Sequence, residues 1–291
     1  MSFLRTSSLR TPYLFSGRHQ VGRLLHWQGR PLIVEFDFGT ATRQVRVTVI
    51  DPTRQLSATS EPGRALPAHF RTVASALWGL DDNLTQCYAT LCQDPLLAGL
   101  IASNRGLRLI RTPDLYEALV MGVIGQQISV TAAEAIRHRL LLAVGPHRTV
   151  QSREYHGYPV SAQILDAGER ALRGVGISHP KVRYLQAIAE CDASGALSRE
   201  AFDGLDNERA IQRLMDIPGV GRWTAEIAML RGLGRLDIFP AADLGLIVAT
   251  QSLLRLRARP TEHRLRTLAE RWRGWRSYAA LYLWATLTRA R

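Results

Sequence analysis

Residues 214–230, LMDIPGVGRWTAEIAML, stop one helical pattern and start another within a few positions. Asp206 or Asn207 supplies a capping side chain ahead of the apolar positions Ile211, Leu214 and Met215. Pro218 cannot continue that helix, and the glycines at 219 and 221 permit positive φ. A second helix is predicted from about Arg222. A connection this tight either joins two packed helices or turns its amides toward an anion, because the first amides of the second helix lack intrahelical partners and lie at the positive end of its dipole.

The flanking sequence restricts the choice. RPLIVEFDF and RQVRVTVID alternate apolar and polar residues around GTAT, which predicts an antiparallel hairpin between about Gln20 and Asp51. FRTVASALWGLDDNLTQCYATLCQDPLLAGLIAS then returns to helical spacing, so residues 1–104 are expected to form a small α/β lobe of antiparallel sheet plus helices. From 105 to 291 the pattern is helical almost throughout, broken by short Gly, Pro and Asp punctuation, and GPHRTVQSREYHGYPVS is expected to be a loop between two helices. The expected fold class is mainly α with a small α+β N-terminal lobe. With 291 residues, 46% of them hydrophobic, such a chain can bury a substantial core.

No run approaches the roughly 18 apolar residues of a membrane span, and the N-terminal stretch lacks the apolar segment of a signal peptide, so a cytoplasmic protein with no membrane partner is expected. The net charge of +12 implies a polyanionic partner, with nucleic acid leading. Cys87, Cys92 and Cys191 form neither CxxC nor zinc spacing and are expected to be reduced thiols. Lys181 is the only lysine among 37 basic residues, so chemistry that needs an amine has almost nowhere to place one.

LMDIPGVGRWTAEIAML followed by LDIFPAADLGL, with Asp243 twenty residues after Trp223, resembles the helix-hairpin-helix and Gly/Pro-rich loop with aspartate of the DNA glycosylase superfamily. GLRLIRTPDLYEALVMGVIGQQISVTAAEAI (106–136), LRGVGISHPKVRYLQAIAE (172–190) and ERWRGWRSYAALYLWATL are similar to further helices of the 3-methyladenine DNA glycosylase II family. The resemblance spans roughly residues 105–288 and implies the helix-hairpin-helix glycosylase fold, with a cleft between two helical lobes. It also implies a double-stranded DNA substrate carrying damaged bases, taken by a monomeric, DNA-associated enzyme.

It assigns roles residue by residue. Asp243 matches the catalytic aspartate, which stabilises the positive charge that develops on the sugar and helps to orient the attacking water. Taken alone, an aspartate before LGLIVAT is also a helix cap, and the two roles are compatible. Trp223 stands where bifunctional relatives carry a Schiff-base lysine, which implies a monofunctional hydrolase without lyase activity. Trp223 and Trp284 match the indoles that line the family's base pocket, where a cationic ring is favoured by ~0.5–2 kcal/mol; core packing is the other reading of Trp284. Ile227 replaces a tyrosine of the family pattern, and Trp272 and Trp275 are assigned to packing.

In GQQISV, Gln127 takes the position of the wedge that fills the gap left by a flipped base, with Gln126 beside it; two glutamines facing water are the plain alternative. The amides of Gly219 and Gly221, with Arg222 and Thr224, are expected to meet the DNA backbone. No cofactor is expected. A Na or K ion on hairpin carbonyls near Gly219 and Gly221 is implied by the family, no metal is expected on side chains, and without four clustered cysteines no iron–sulfur cluster is expected. The implied activity is excision of alkylated bases of the 3-methyladenine and 7-methylguanine type in base excision repair. Excision of oxidised or deaminated bases, or DNA binding without chemistry, are the alternatives.

Overall fold

The computed structural model describes residues 12–16, 19–27, 30–39, 45–51, 56–58 and 68–289. The chain forms two compact units, one from residues 1–75 and 123–197, the other from 76–122 and 198–291. Both are discontinuous in sequence. The position 104/105 lies inside the second unit's first segment.

The first unit contains a five-stranded antiparallel sheet in sequence order: β1 (Leu14–Phe15), β2 (Gln20–Trp27), β3 (Arg30–Phe38), β4 (Val45–Asp51) and β5 (Leu56–Ala58). The predicted hairpin is β3–β4, with Ile33 opposite Ile50 and Phe36 opposite Val47. Leu24 and Ile33 bury with Tyr155 into a cluster that also takes Leu14, Ile50 and Val150. Tyr155 comes from the segment read as a loop, which is instead a hairpin of β6 (His147–Val150) and β7 (Arg153–His156). Its turn residues Gln151 and Ser152 adopt φ of 48° and 62°, conformations usually marked by Asn-Gly, so the turn gives no sequence signal. The Tyr155 hydroxyl donates to Glu35 Oε1 at 2.5 Å, and a Cβ on Gly22 would stand 2.6 Å from the Tyr155 ring. Here glycine is required by close approach. The unit is completed by α5 (Val130–Ala143), α6 (Ser161–Gly174), which is interrupted by Gly168 at φ 69°, and α7 (His179–Ala193).

The second unit is helical: α2 (Leu84–Leu91), α3 (Pro95–Ser103), α8 (Asn207–Met215), α9 (Arg222–Ala228), α10 (Leu244–Leu253), α11 (Glu262–Ala269) and α12 (Arg276–Arg289). Two helices, α1 (Ala68–Trp78) and α4 (Leu115–Gly125), cross from one unit's segment to the other's. Helix α12 is the core element, with Tyr278, Leu281, Tyr282 and Leu283 fully buried, and it packs on α3 and α10. Trp272 is fully buried, packs tilted against Phe239 with ring centres 5.7 Å apart, and donates its indole N–H to Asp94 at 2.7 Å. Trp275 packs edge-on to Tyr278. No helix among the described residues is long and apolar enough to cross a membrane.

Candidate active site

The broken helix is a hairpin between α8 and α9. Asp206 caps α8, accepting from the Arg209 amide at 2.8 Å, and the helix ends at Met215, before Pro218. Gly219 sits at φ 83°, where a side chain would be strained. Gly221 does not share that conformation: its φ is −84°, it is the residue before α9, and a Cβ there would meet nothing within 4 Å. The expectation that both glycines supply positive φ holds for Gly219 only. What glycine provides at 221 is open space at the mouth of the turn.

Helix α9 passes into a π-helical turn, Met229–Leu233, that ends on Gly234 in the left-handed region. The turn rotates Arg231 inward. Its guanidinium is buried, donates to the Ile110 carbonyl at 2.6 Å and lies 5.6 Å from the centre of the Trp284 ring. Gly232 is obligatory beside it, because a Cβ would stand 2.6 Å from the Leu115 Cα on α4. Burial pulls the Arg231 pKa down to about 10, the Asp243 carboxylate acts in the opposite direction, and Arg111 adds to the lowering.

Asp243 is the centre of the arrangement. It caps α10, with Oδ1 accepting from the Leu246 amide at 3.0 Å. Oδ1 also accepts from Trp284 Nε1 at 2.8 Å, and Oδ2 accepts from Trp223 Nε1 at 3.1 Å. Residues 20 and 41 positions from Asp243 thus bring both indole N–H groups to one carboxylate. A carboxylate gripped by three donors has a fixed plane and direction. Gly245 makes the grip possible: a Cβ there would stand 2.9 Å from Asp243 Oδ1 and 3.2 Å from Trp284 Cδ1. Trp223, Asp243 and Trp284 are each half-buried. Ile227 is half-buried one turn after Trp223 on α9.

The side chains of two further positions are already engaged within the protein. The Thr224 side chain is buried, 1% exposed, and its methyl would be 3.0 Å from a Cβ on Gly122 of α4, so only its main chain remains for a ligand at the turn. Arg222 is held by carboxylates, donating to both oxygens of Glu208 on α8 at 2.6 and 2.8 Å and to Glu226 at 3.2 Å. Glu226 Oε1 also accepts from Arg266 on α11 at 2.8 Å, and Arg266 donates to Glu262. Glu226 is buried, and that desolvation raises its pKa against the pull of the two arginines. Arg222 therefore braces the hairpin against α11. Sequence spacing could not show this, because Glu208 lies 14 positions before it and Arg266 lies 40 after Glu226.

Gln126 and Gln127 follow α4 in the first unit. Gln127 is exposed at φ 56°, left-handed, and Ser129 caps α5 by accepting from the Ala132 amide at 3.1 Å. Lys181, on α7, donates to the carbonyls of Ile124 at 2.9 Å and Gln126 at 2.7 Å. A cation on the last carbonyls of a helix satisfies groups that have no helical partner and opposes the dipole, so the lone lysine caps α4 where the chain reverses. Burial lowers its pKa. Sequence reasoning missed both the contact of Arg231 with Trp284 and that of Lys181 with the carbonyls of Ile124 and Gln126. The only signals were a single charge inside the apolar run AMLRGL and the uniqueness of the lysine itself. The three cysteines are free thiols, and among the described residues no group of three His, Cys, Asp or Glu could hold a metal ion.

Comparison with known proteins places this geometry. Residues 120–274 match the HhH-GPD superfamily of base excision DNA repair proteins, a span that takes in the hairpin and Asp243. The chain belongs to this superfamily. Among HhH-GPD relatives, the DNA-3-methyladenine glycosylase of Bacillus subtilis is 34% identical over 208 residues, covering 72% of this chain and 69% of that one. The probable bifunctional transcriptional activator/DNA repair enzyme AlkA of Mycobacterium tuberculosis is 37% identical over 217 residues; the match covers 72% of this chain and spans only 41% of that longer protein. The solved 3-methyladenine DNA-glycosylase from Archaeoglobus fulgidus superposes with a TM-score of 0.79 at 25% identity, covering 97% of this chain and 90% of that one. The likeness to that structure thus takes in the N-terminal sheet, which residue patterns alone did not align.

Proposed function

We propose that the protein is a monofunctional DNA glycosylase that removes alkylated bases of the 3-methyladenine and 7-methylguanine type from double-stranded DNA. The observation that carries this reading is the convergence of Trp223 and Trp284 on Asp243. A carboxylate held with its charge directed by two indoles and a helix amide stabilises a sugar that becomes cationic as its bond to the base breaks. The names of the relatives supply the alkylated base as the substrate class. In the reaction a water oxygen bonds to C1′, the C1′–N bond breaks, its electron pair leaves with the base, and the water proton passes to Asp243 or solvent. A base already positively charged by alkylation departs neutral, so the single carboxylate needs no partner acid.

Lyase chemistry would need an amine at the reacting carbon. Trp223 occupies the hairpin position, and the only lysine is engaged with the carbonyls of Ile124 and Gln126. On this reading water is the nucleophile and an abasic site the product. The exposed, left-handed Gln127 is the residue to fill the gap beneath a flipped base, with Gln126 fixed behind it through its carbonyl, and the amides around Gly219 and Gly221 meet phosphates. A Na or K ion would rest on main-chain carbonyls of the same turn; the Ile217 carbonyl accepts one bond, from the Val220 amide at 3.0 Å, and retains a second lone pair. With three cysteines in the chain there is no ligand set for a four-cysteine cluster. The protein acts as a monomer in the cytoplasm, associated with DNA.

The test is release of free base from methylated duplex DNA, resolved by product and compared with duplexes carrying single oxidised or deaminated bases. Release of methylated purines without strand cleavage is expected. Release confined to oxidised or deaminated bases replaces the substrate, and binding without release of any base reduces the protein to a DNA-binding module.

A further inference from the structure

The hairpin does not bring positive charge to DNA. Arg222 and Arg266 are balanced against Glu208, Glu226 and Glu262, two cations against three carboxylates, so the cluster bracing the turn carries one net negative charge. Amides at a turn orient on a phosphate, but affinity for duplex DNA comes from cations that neutralise phosphates and release counterions. Those cations must lie on neighbouring surface.

The segment that leads into α11 supplies them. From the end of α10 into the first turn of α11 the chain reads LRLRARPTEHR, with Arg255, Arg257 and Arg259 exposed ahead of α11 and Arg264 exposed within it. The one carboxylate of this stretch, Glu262, is taken by Arg266 at 2.7 Å, and none of the four guanidinium groups has a carboxylate within ion-pair distance among the described residues. The stretch is tied to the hairpin: Glu262 holds Arg266, and Arg266 holds Glu226 of α9. Arg259 is three residues from Glu262, at most about 11 Å along an extended chain. The backbone is also unusual. Arg255, two residues past the end of α10, adopts φ 49°, with the Leu256 amide donating to the Gln251 carbonyl at 3.0 Å. This is the helix-ending position where glycine carries no penalty and an L side chain is strained. An arginine held in such a backbone next to two more places three exposed cations on one short loop.

We propose that the Arg255–Arg257–Arg259 loop is a second phosphate-binding element, gripping the duplex backbone beside the hairpin. The inference rests on the DNA-glycosylase reading above, and its ligand is the phosphodiester backbone without regard to sequence. Guanidinium forks suit phosphate oxygens, and three such contacts contribute about 2.7 to the salt dependence of log K, at ~0.9 per phosphate on B-form DNA.

The experiment is titration of the full-length protein with a duplex carrying an abasic-site analogue, across a range of salt concentrations. It compares wild type, the triple variant Arg255→Gln/Arg257→Gln/Arg259→Gln, the triple Arg→Lys variant, and Arg257→Glu alone in case the glutamine triple does not fold. The slope of log K against log salt is expected to drop by about 2–3 in the glutamine variant and to stay near wild type in the lysine variant, with Arg257→Glu weakening binding at low salt by at least ~10-fold. An unchanged slope in the glutamine variant, or unchanged affinity in Arg257→Glu, overturns the loop assignment while leaving the DNA reading intact. A wild-type protein with no salt-dependent affinity for the duplex defeats both.

Discussion

Replacement of Asp243 by asparagine separates chemistry from scaffolding, because the hydrogen bonds around the carboxylate fix what each atom must do. Asparagine is as good a helix cap as aspartate, so Oδ1 can still accept from the Leu246 amide and from Trp284 Nε1. The amide nitrogen then falls on the Oδ2 side and faces Trp223 Nε1, 3.1 Å away in the native protein, so two donors oppose each other. Flipping the amide is worse, since it sets the nitrogen against two donors instead of one. The conflict at this half-buried site costs on the order of 1 kcal/mol of stability, while loss of the charge costs a further ~10²–10³ in rate if Asp243 stabilises the developing cation. The two losses are separable with Trp223→Phe, which keeps a ring at the site and removes the opposing donor. Single-turnover base release from methylated duplex and thermal midpoints are measured for Asp243→Asn, Trp223→Phe and the double variant. Asp243→Asn is expected to fall at least ~10²-fold in release with duplex affinity retained, and the double variant to regain midpoint but not rate. A rate within about threefold of wild type in Asp243→Asn, or recovery of rate in the double variant, refutes the catalytic assignment and leaves Asp243 as a clamp for Trp223.

Gly245→Ala presses a methyl against Asp243 Oδ1 and Trp284; single-turnover release is expected to drop about 10- to 100-fold, the usual effect of a small misplacement, with helix content by circular dichroism unchanged. Lys181→Met removes the cap from Ile124 and Gln126; release from a fully paired lesion is expected to slow markedly, and the defect to shrink when the lesion lies in an unpaired context where flipping costs less, whereas an equal defect in both contexts assigns Lys181 to stability alone. His26 and His156 have pKa values pushed below 6.5, first by burial, with Arg23 and Arg148 acting on His26 and His147 and His138 on His156, against Glu154. The unfolded chain therefore binds the extra protons first, stability from these histidines is present above about pH 6.5 and lost as pH falls through the folded values, and the thermal midpoint between about pH 7.5 and 5 should decline less in His26→Gln/His156→Gln than in wild type.

The parts of the molecule that local physics dictates were readable in the residues. Pro218 and Gly219 end one helix and turn the chain whatever surrounds them, alternation across residues 30–51 gives the β3–β4 pair, and an aspartate before an apolar run caps α10. What escaped reading depends on partners far away in sequence or on backbone states with no residue signature. Arg222 has the composition of a phosphate ligand, and only the positions of Glu208 and Glu226 show that its charge is already used. Thr224 is polar and buried because Gly122 admits its methyl. The β6–β7 turn adopts left-handed geometry on Gln-Ser, and the π-helical turn that buries Arg231 looks in sequence like a plain continuation of α9.

These non-local features bear directly on selectivity under the proposed function. One face of Trp284 already has the Arg231 guanidinium against it, and its N–H is bound to Asp243, so this indole is polarised before any substrate arrives. A cation on a ring face draws electron density toward itself, which strengthens the ring's N–H as a donor and weakens the opposite face as a site for a second cation. Attraction between a methylated base and Trp284 is then smaller than for a free indole, and the burden of recognising positive charge falls on Trp223, for which no cation stacking is found among the described residues. Substitution tests this division directly: Trp223→Leu should reduce preference for cationic methylpurines over neutral bases, whereas Trp284→Phe should reduce the rate for both alike by loosening Asp243. Equal loss of preference in the two variants would show that Arg231 does not discharge the face of Trp284, and that both rings read the charge of the base.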